Sequence, residues 1–399
     1  MARLSRTASA IRASVFADLA PRLEAFARRG GDLVELHLGD TCFAPPEAAR
    51  FGRIEGAGFD GELYRYGPVA GLAALKEAFA HRLRSRGRGF EGVEGRHVLV
   101  GAGATHAIYC GLRAVLDPGD EVLVASPYWP LAVGVVRAAG GVPVEVPMTL
   151  GLYDDPSLEP AELLEAALTP RVRALYVITP NNPDGKVYSA AQLASIARFA
   201  VKHDLWVLAD EVYLDFVYEG VHQPLAGLEG MAERTLSAYS LSKSHGLAGA
   251  RVGFLVAPER VLVVARRVGT HTVFNVPVAA QRVAMAALEG PAVWTDDVRH
   301  RYRDARDAAM QALGPLFGRG VRAFAPEGGS YVFVDFAAVL GGAPLQQLLE
   351  RAIDHGVLLL PGDGCGADFA TWARLCFTAV PKERLVEGIA RLHAAVEAR

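Results

Sequence analysis

Tyr239-Ser-Leu-Ser-Lys-Ser-His-Gly-Leu-Ala-Gly-Ala-Arg251-Val-Gly253 is the stretch around which the rest of the chain is read. It sets Lys243 between two serines and places Arg251 eight residues later in a glycine-rich turn. An amine can join an aldehyde, and a hydroxyl with a guanidinium fork can hold a phosphate. Pyridoxal 5'-phosphate (PLP) presents both groups. A lysine alone would be read as a solvated surface charge. The stretch gains meaning from an Asn182-Pro-Asp-Gly185 turn and an Ala209-Asp-Glu-Val-Tyr213 run upstream.

Apolar runs flank these motifs, at 97–100, 121–125, 142–146, 174–178, 205–209, 235–238 and 253–256. Helical patterns separate several of them, as at 105–115 and 190–203. Continuous apolar strands alternating with helices predict an α/β fold: a mainly parallel sheet with helices on both faces. From about Pro291 the texture changes to a charged helix at 298–316, strands at 330–335, 357–360 and 375–378, and helices near 345–355 and from Lys382. The expected organisation is a large domain over 51–290. A small α+β domain would combine the N-terminal arm, 1–50, with 291–399. Ligands of open α/β sheets lie beyond the carboxyl ends of the strands, which is where the motifs fall.

Composition narrows the function classes. The chain has 399 residues, half of them apolar, and a formal charge of −3, so it carries no electrostatic case for nucleic acid. Four scattered cysteines form no Cys-x-x-Cys pair, which argues against a zinc site or disulfide framework and for a reducing, cytoplasmic setting. No apolar run is long enough to span a bilayer. Met1–Arg12 is basic, but arginines and Asp18 interrupt any signal-type apolar block, so it reads as an ordered arm.

Gly101-Ala-Gly103-Ala-Thr105-His106 follows a strand and opens a helix, so backbone N–H groups near Gly103, Ala104 and Thr105 can face an anion. A tight turn without ligand is the even alternative. A dinucleotide fingerprint is disfavoured, because His106 replaces the third glycine and no acid ends the next strand. Asp210 ends an apolar strand, where an unpaired carboxylate is costly. Beside a pyridine nitrogen it would keep that nitrogen protonated. Tyr213 and Asn182 can reach a ring phenolate, and Trp129 can lie on a ring face. Each of these three also has an ordinary reading, as a core tyrosine, a turn residue and a core tryptophan. Lys243 must be neutral to react, and burial near Arg251 lowers its pKa in that direction. Arg374 is a candidate fork for an α-carboxylate.

Taken together, the chain resembles the fold-type I PLP-dependent aminotransferases of class I/II. The likeness is carried by Ser240-x-Ser-Lys243 with Arg251, Asn182-Pro-x-Gly185 and Asp210-x-x-Tyr213, and it runs from Leu36-His-Leu-Gly39 to Arg374. It implies that Lys243 forms the Schiff base and Asp210 pairs with the pyridinium. Asn182 and Tyr213 would bind the phenolate, Trp129 the ring, and Gly103, Ala104, Thr105, Ser240 and Arg251 the phosphate. Tyr66 would reach the phosphate of a neighbouring subunit, so a homodimer with shared active sites is implied. Gly39, Asn182 and Arg374 would bind substrate; no metal is implied. Asp184 stands where the family usually has Thr or Ser, at a turn position on which little should depend.

The expected reaction moves an amino group from an L-amino acid to a 2-oxo acid in two half-reactions. Phe43, Tyr64, Trp129, Phe274 and Tyr331 suggest an apolar or aromatic side-chain pocket. No arginine is matched to a second carboxylate, although Arg282 could enter from a partner. A β-lyase or cyclase would use the same lysine and aspartate, and only substrate orientation separates these chemistries. A PLP-binding regulator is disfavoured, because no basic recognition helix precedes the pattern.

Overall fold

The computed structural model describes residues 3–12, 18–56, 58, 61–291 and 293–398. Part of the expected N-terminal arm (residues 1, 2 and 13–17) lies outside the described residues.

Thirteen strands occur among them. In chain order they are β1 Val34–Glu35, β2 Val98–Gly101, β3 Glu121–Ser126, β4 Val142–Pro147, β5 Val172–Ile178, β6 Trp206–Asp210 and β7 Thr235–Ser240. Then come β8 Gly253–Val256, β9 Arg322–Ala323, β10 Tyr331–Asp335, β11 Val357–Leu358, β12 Leu360–Pro361 and β13 Trp372–Cys376.

Seven of them form one sheet in the order β2-β8-β7-β6-β5-β3-β4. Every neighbouring pair is parallel except the two made by β8, which runs against both β2 and β7. The expected mainly parallel sheet is therefore present. Its strands read as unbroken apolar runs because both faces are covered. Along β3, Val122 and Val124 enter one core with the helix Gly103–Val115. Leu123 and Ala125 enter another, against the helix Ala190–Lys202. The strand period of two sorts the residues.

A second, antiparallel sheet has the order β12-β13-β10-β9, and β1 pairs in parallel with β11. The expected single strand over 357–360 divides: Val357 and Leu358 pair with β1, whereas Leu360 and Pro361 pair with β13. Both ends of the chain share one core here. Leu19, Phe26, Val34 and Leu36 pack with Leu313, Val332, Leu349 and Leu385. The long helix Trp294–Phe317 begins a turn earlier than its charge pattern suggested, because Trp294 donates from Nε1 to the Ser244 carbonyl (2.9 Å) and anchors that turn.

Candidate active site

The carboxyl ends of β2, β3, β5, β6 and β7 open on a cleft of about 930 Å³, closed from the other side by residues of β10, β12 and β13. Its lining includes Gly39, Ala104, Thr105, Trp129, Asn182, Asp210, Tyr213, Ser240, Lys243, Arg251 and Arg374. The structure thus brings to one cavity residues spread over more than 330 positions of sequence.

Each strand end delivers a different group. β6 ends at Asp210, 4% exposed, whose Oδ2 accepts from Tyr176 Oη at 3.1 Å. Burial pushes this carboxyl up to about 6, and the hydrogen bonds from Tyr176 and the Val212 amide only partly oppose it. It forms no ion pair among the described residues. A buried carboxylate in that state is made for a cationic partner. β7 leads through Ser240 to Lys243, whose amine donates to the Gly39 carbonyl. Burial lowers the pKa of this amine although Cys376 and Asp40 act the other way.

After β2, the helix Gly103–Val115 points its N-terminus at the cavity. Gly103 has φ +78, and a Cβ there would lie 2.4 Å from Arg251 Nη2, so glycine lets the guanidinium sit against the helix start. Arg251 itself adopts φ +52 and donates to the Ala248 carbonyl at 2.9 Å. Ser240 Oγ donates to Ser242 Oγ at 2.8 Å and accepts from the Ser242 amide at 3.0 Å.

On the opposite wall Arg374, 4% exposed, donates to Asn182 Oδ1 (2.9 Å) and to the His37 carbonyl (2.8 Å). Its guanidinium lies 4.1 Å from the Tyr331 ring centre. Its Nε is buried and finds no hydrogen-bond partner among the described residues. Tyr213 and Tyr331 share a hydrogen bond of 2.6 Å between their hydroxyls. Burial raises both phenols, and Arg374 limits the rise at Tyr331 to about 12.

Several sequence expectations need correction. Of the five aromatics assigned to a side-chain pocket, only Trp129 and Tyr331 line the cavity. Phe43 instead packs on Trp294 and Tyr302. Tyr64 and Phe274 lie outside it, 79% and 45% exposed. Tyr66, expected to serve a neighbouring subunit and not its own site, is 87% exposed and edge-on to Phe274 at 5.0 Å, and Arg282 pairs with Glu62 at 2.8 Å.

Asp184 is not a solvated turn residue. It is 2% exposed, and its Oδ1 accepts from Asn181 Nδ2 (2.8 Å) and the Lys186 amide (3.1 Å). Burial raises its carboxyl to about 7 against those bonds. Asn181 Nδ2 also donates to the Pro127 carbonyl at 2.9 Å, so Asp184 braces the loop that carries Asn182. Sequence reasoning also passed over Tyr176, whose hydroxyl is aligned only by the pairing of β5 with β6.

The model of the family described as aminotransferase class I and II matches residues 31–392. The chain belongs to the class I and II aminotransferases. It is 34% identical over 362 residues to an arginine–pyruvate transaminase of Pseudomonas aeruginosa, covering 90% of this chain and 88% of that one. It is likewise 34% identical over 403 residues to an aspartate/prephenate aminotransferase of Thermus thermophilus, covering 98% of each. A solved double mutant of the Thermus thermophilus aspartate aminotransferase superposes with a TM-score of 0.88 at 32% identity, covering 99% of this chain and all of the other. This aminotransferase therefore has the fold-type I architecture of its family and acts in amino-acid transamination. The substrates named for the relatives differ widely, so the donor must be sought in the residues of the cavity.

Proposed function

We propose that the chain is a PLP-dependent aminotransferase that, with Lys243 as the residue holding the cofactor, moves the amino group of an L-amino acid to a 2-oxo acid. The observation that carries the reading is the meeting in one cavity of Lys243, a half-buried amine whose pKa burial lowers, with Asp210, a buried carboxylate that forms no ion pair among the described residues. The residues present fit the cofactor. The uncompensated Asp210 carboxylate suits a pyridinium nitrogen, and the Gly103–Arg251 cradle with Ser240 suits a phosphate. When bound, PLP supplies the electron sink that makes the substrate α-proton acidic.

The chain's own groups then have defined work. Ala104 and Thr105 at the helix start, with Ser240 and Arg251, hold the phosphate. Asn182 and Tyr213 would hold the ring oxygen, and Trp129 would lie beside the ring. Lys243 Nζ would hold the cofactor through its aldehyde, and as a free amine it would carry the proton from the substrate α-carbon. Arg374, oriented by Asn182 and Tyr331, takes the α-carboxylate as a bidentate fork, with Gly39 leaving room beside it. Arg374 and Asp210 line the same cavity as Lys243, so a substrate held at one end by Arg374 would lie within reach of the amine.

Three coarser readings complete the proposal. Residues 51–290 would form the large domain, and 1–50 with 291–399 the small one; the core shared by the two ends supports this division. A homodimer would use the exposed Tyr64 and Tyr66, with Tyr66 completing a neighbour's phosphate site. A cytoplasmic setting is favoured by the four cysteines, which are all free thiols. No described helix is long and apolar enough to cross a membrane.

Borohydride reduction of the PLP-loaded protein, followed by peptide mass analysis, tests the attachment. The cofactor mass should appear on the peptide that contains Lys243. Its appearance on another lysine, or on none, would refute the assignment.

A further inference from the structure

Beyond the cofactor-facing floor, the cleft continues along the helix Ala132–Ala138 toward β4. Ile11, Leu38, Leu131, Val133, Pro143 and Leu360 give the cleft apolar walls. Besides Asp210, two carboxylates line the cleft, Asp363 and Glu145. Glu145, on β4, accepts from the Ala367 amide at both oxygens (3.0 and 3.1 Å) and from Tyr128 Oη at 3.4 Å. The loop is shaped around this group: Gly366 has φ +145, and a Cβ there would lie 2.4 Å from Glu145 Oε1. Glu145 is held in place, yet it makes no ion pair among the described residues.

Two arginines other than Arg251 and Arg374 line the same cleft. Arg12 pairs with Asp363 at 2.6 Å and also donates to the Asp363 carbonyl at 3.0 Å. Arg137 donates to the Ala10 carbonyl at 3.3 Å and forms no ion pair among the described residues.

Resting on the transaminase reading above, we propose that Glu145 is the specificity residue for a donor with a long cationic side chain, of the arginine, ornithine or lysine type. The apolar walls cover the methylene stem, as they do for any lysine or arginine lying along a surface. The half-buried carboxylate receives the guanidinium or ammonium head, where a charge-assisted hydrogen bond is stronger than in open water. The expected apolar side-chain space is thus retained, with a charged end.

The test separates this role from bracing of the Ala367 loop. Glu145→Gln keeps an acceptor for the Ala367 amide and removes only the charge. For arginine, ornithine and lysine as donors, KM should rise about tenfold or more, while leucine and phenylalanine change less than about threefold. Calorimetric titration of the holoenzyme with 5-guanidinopentanoate and hexanoate reads binding without turnover. The guanidino acid should bind about tenfold tighter, and Glu145→Gln should erase the difference. An equal loss for every donor would assign Glu145 a bracing role and overturn the proposal. A preference for aspartate or glutamate would overturn it in favour of Arg137. If neither carboxylate binds while PLP stays attached at Lys243, the Arg374 clamp fails and the subsite fails with it. PLP missing from Lys243 would refute the underlying reading first.

Discussion

The floor and the rim of the cleft are built on opposite principles. On the floor, Asp210, Asn182, Tyr213, Tyr331 and Arg374 are each at most 5% exposed and all have a fixed polar partner. At the rim, Arg12 and Asp363 remain about half exposed around their ion pair. Burial makes every floor contact expensive to lose, because a partner left behind stays dry. The rim pair sits in water and is screened. The difference teaches where chemistry and where choice are made: the floor tolerates almost no substitution, and the rim can vary with the substrate.

Lys243→Ala should break the floor most completely. Turnover is expected to fall by roughly 10⁴-fold or more, with no cofactor attached after borohydride reduction. Steady-state rates and the reduced-protein mass check both points. Arg374→Ala comes next. It leaves Asn182 Oδ1 and the Tyr331 ring without their buried cation, and kcat/KM should fall by about 10²- to 10³-fold while PLP remains bound. Loss of PLP together with activity would show that Arg374 supports the cofactor instead of the substrate.

The third effect is on stability beneath the floor. Asp215, 5% exposed, accepts from Arg82 at 2.9 Å and Arg86 at 2.6 Å. Burial alone would raise this carboxyl, but the two guanidiniums overcome it and hold it at about 2. Because the folded value lies below that of the unfolded chain, the stabilisation is full above about pH 4 and is lost as pH falls toward 2. Asp215→Asn should cost about 3 kcal/mol at neutral pH and flatten that acid limb, as read by urea unfolding at several pH values. At the rim, Arg12→Ala should cost under about 1 kcal/mol and shift KM only a few-fold. A loss there as large as at Asp215 would erase the contrast between the two regions.

The floor was legible in the sequence because its residues lie in short motifs at strand ends, where apolar runs meet a single polar group. Lys243, Asp210, Asn182 and Arg251 could be read this way, and so could the sheet, since residues of β3 such as Val122 and Leu123 are apolar toward both faces. Asp184 was misread because a turn signal says nothing about what packs over the turn. Here Tyr153 Oη donates to the Asp184 carbonyl at 3.1 Å and helps to bury it. Phe43, Tyr64 and Phe274 were misplaced for a related reason: aromatic character signals burial without naming the neighbour. The rim was illegible. Residues 11–12, 128–145 and 360–367 meet only through the tertiary fold, and Glu145 in a strand of mixed exposure carries no local mark.

The most direct test is a single half-reaction. The purified PLP-loaded protein is mixed with one amino donor and no 2-oxo acid, and the released products are quantified. Transamination at Lys243 is expected to yield one equivalent of the donor's 2-oxo acid per subunit and then stop, with no ammonia. Continued release of ammonia or pyruvate without an acceptor would contradict it and place the chain's chemistry with elimination.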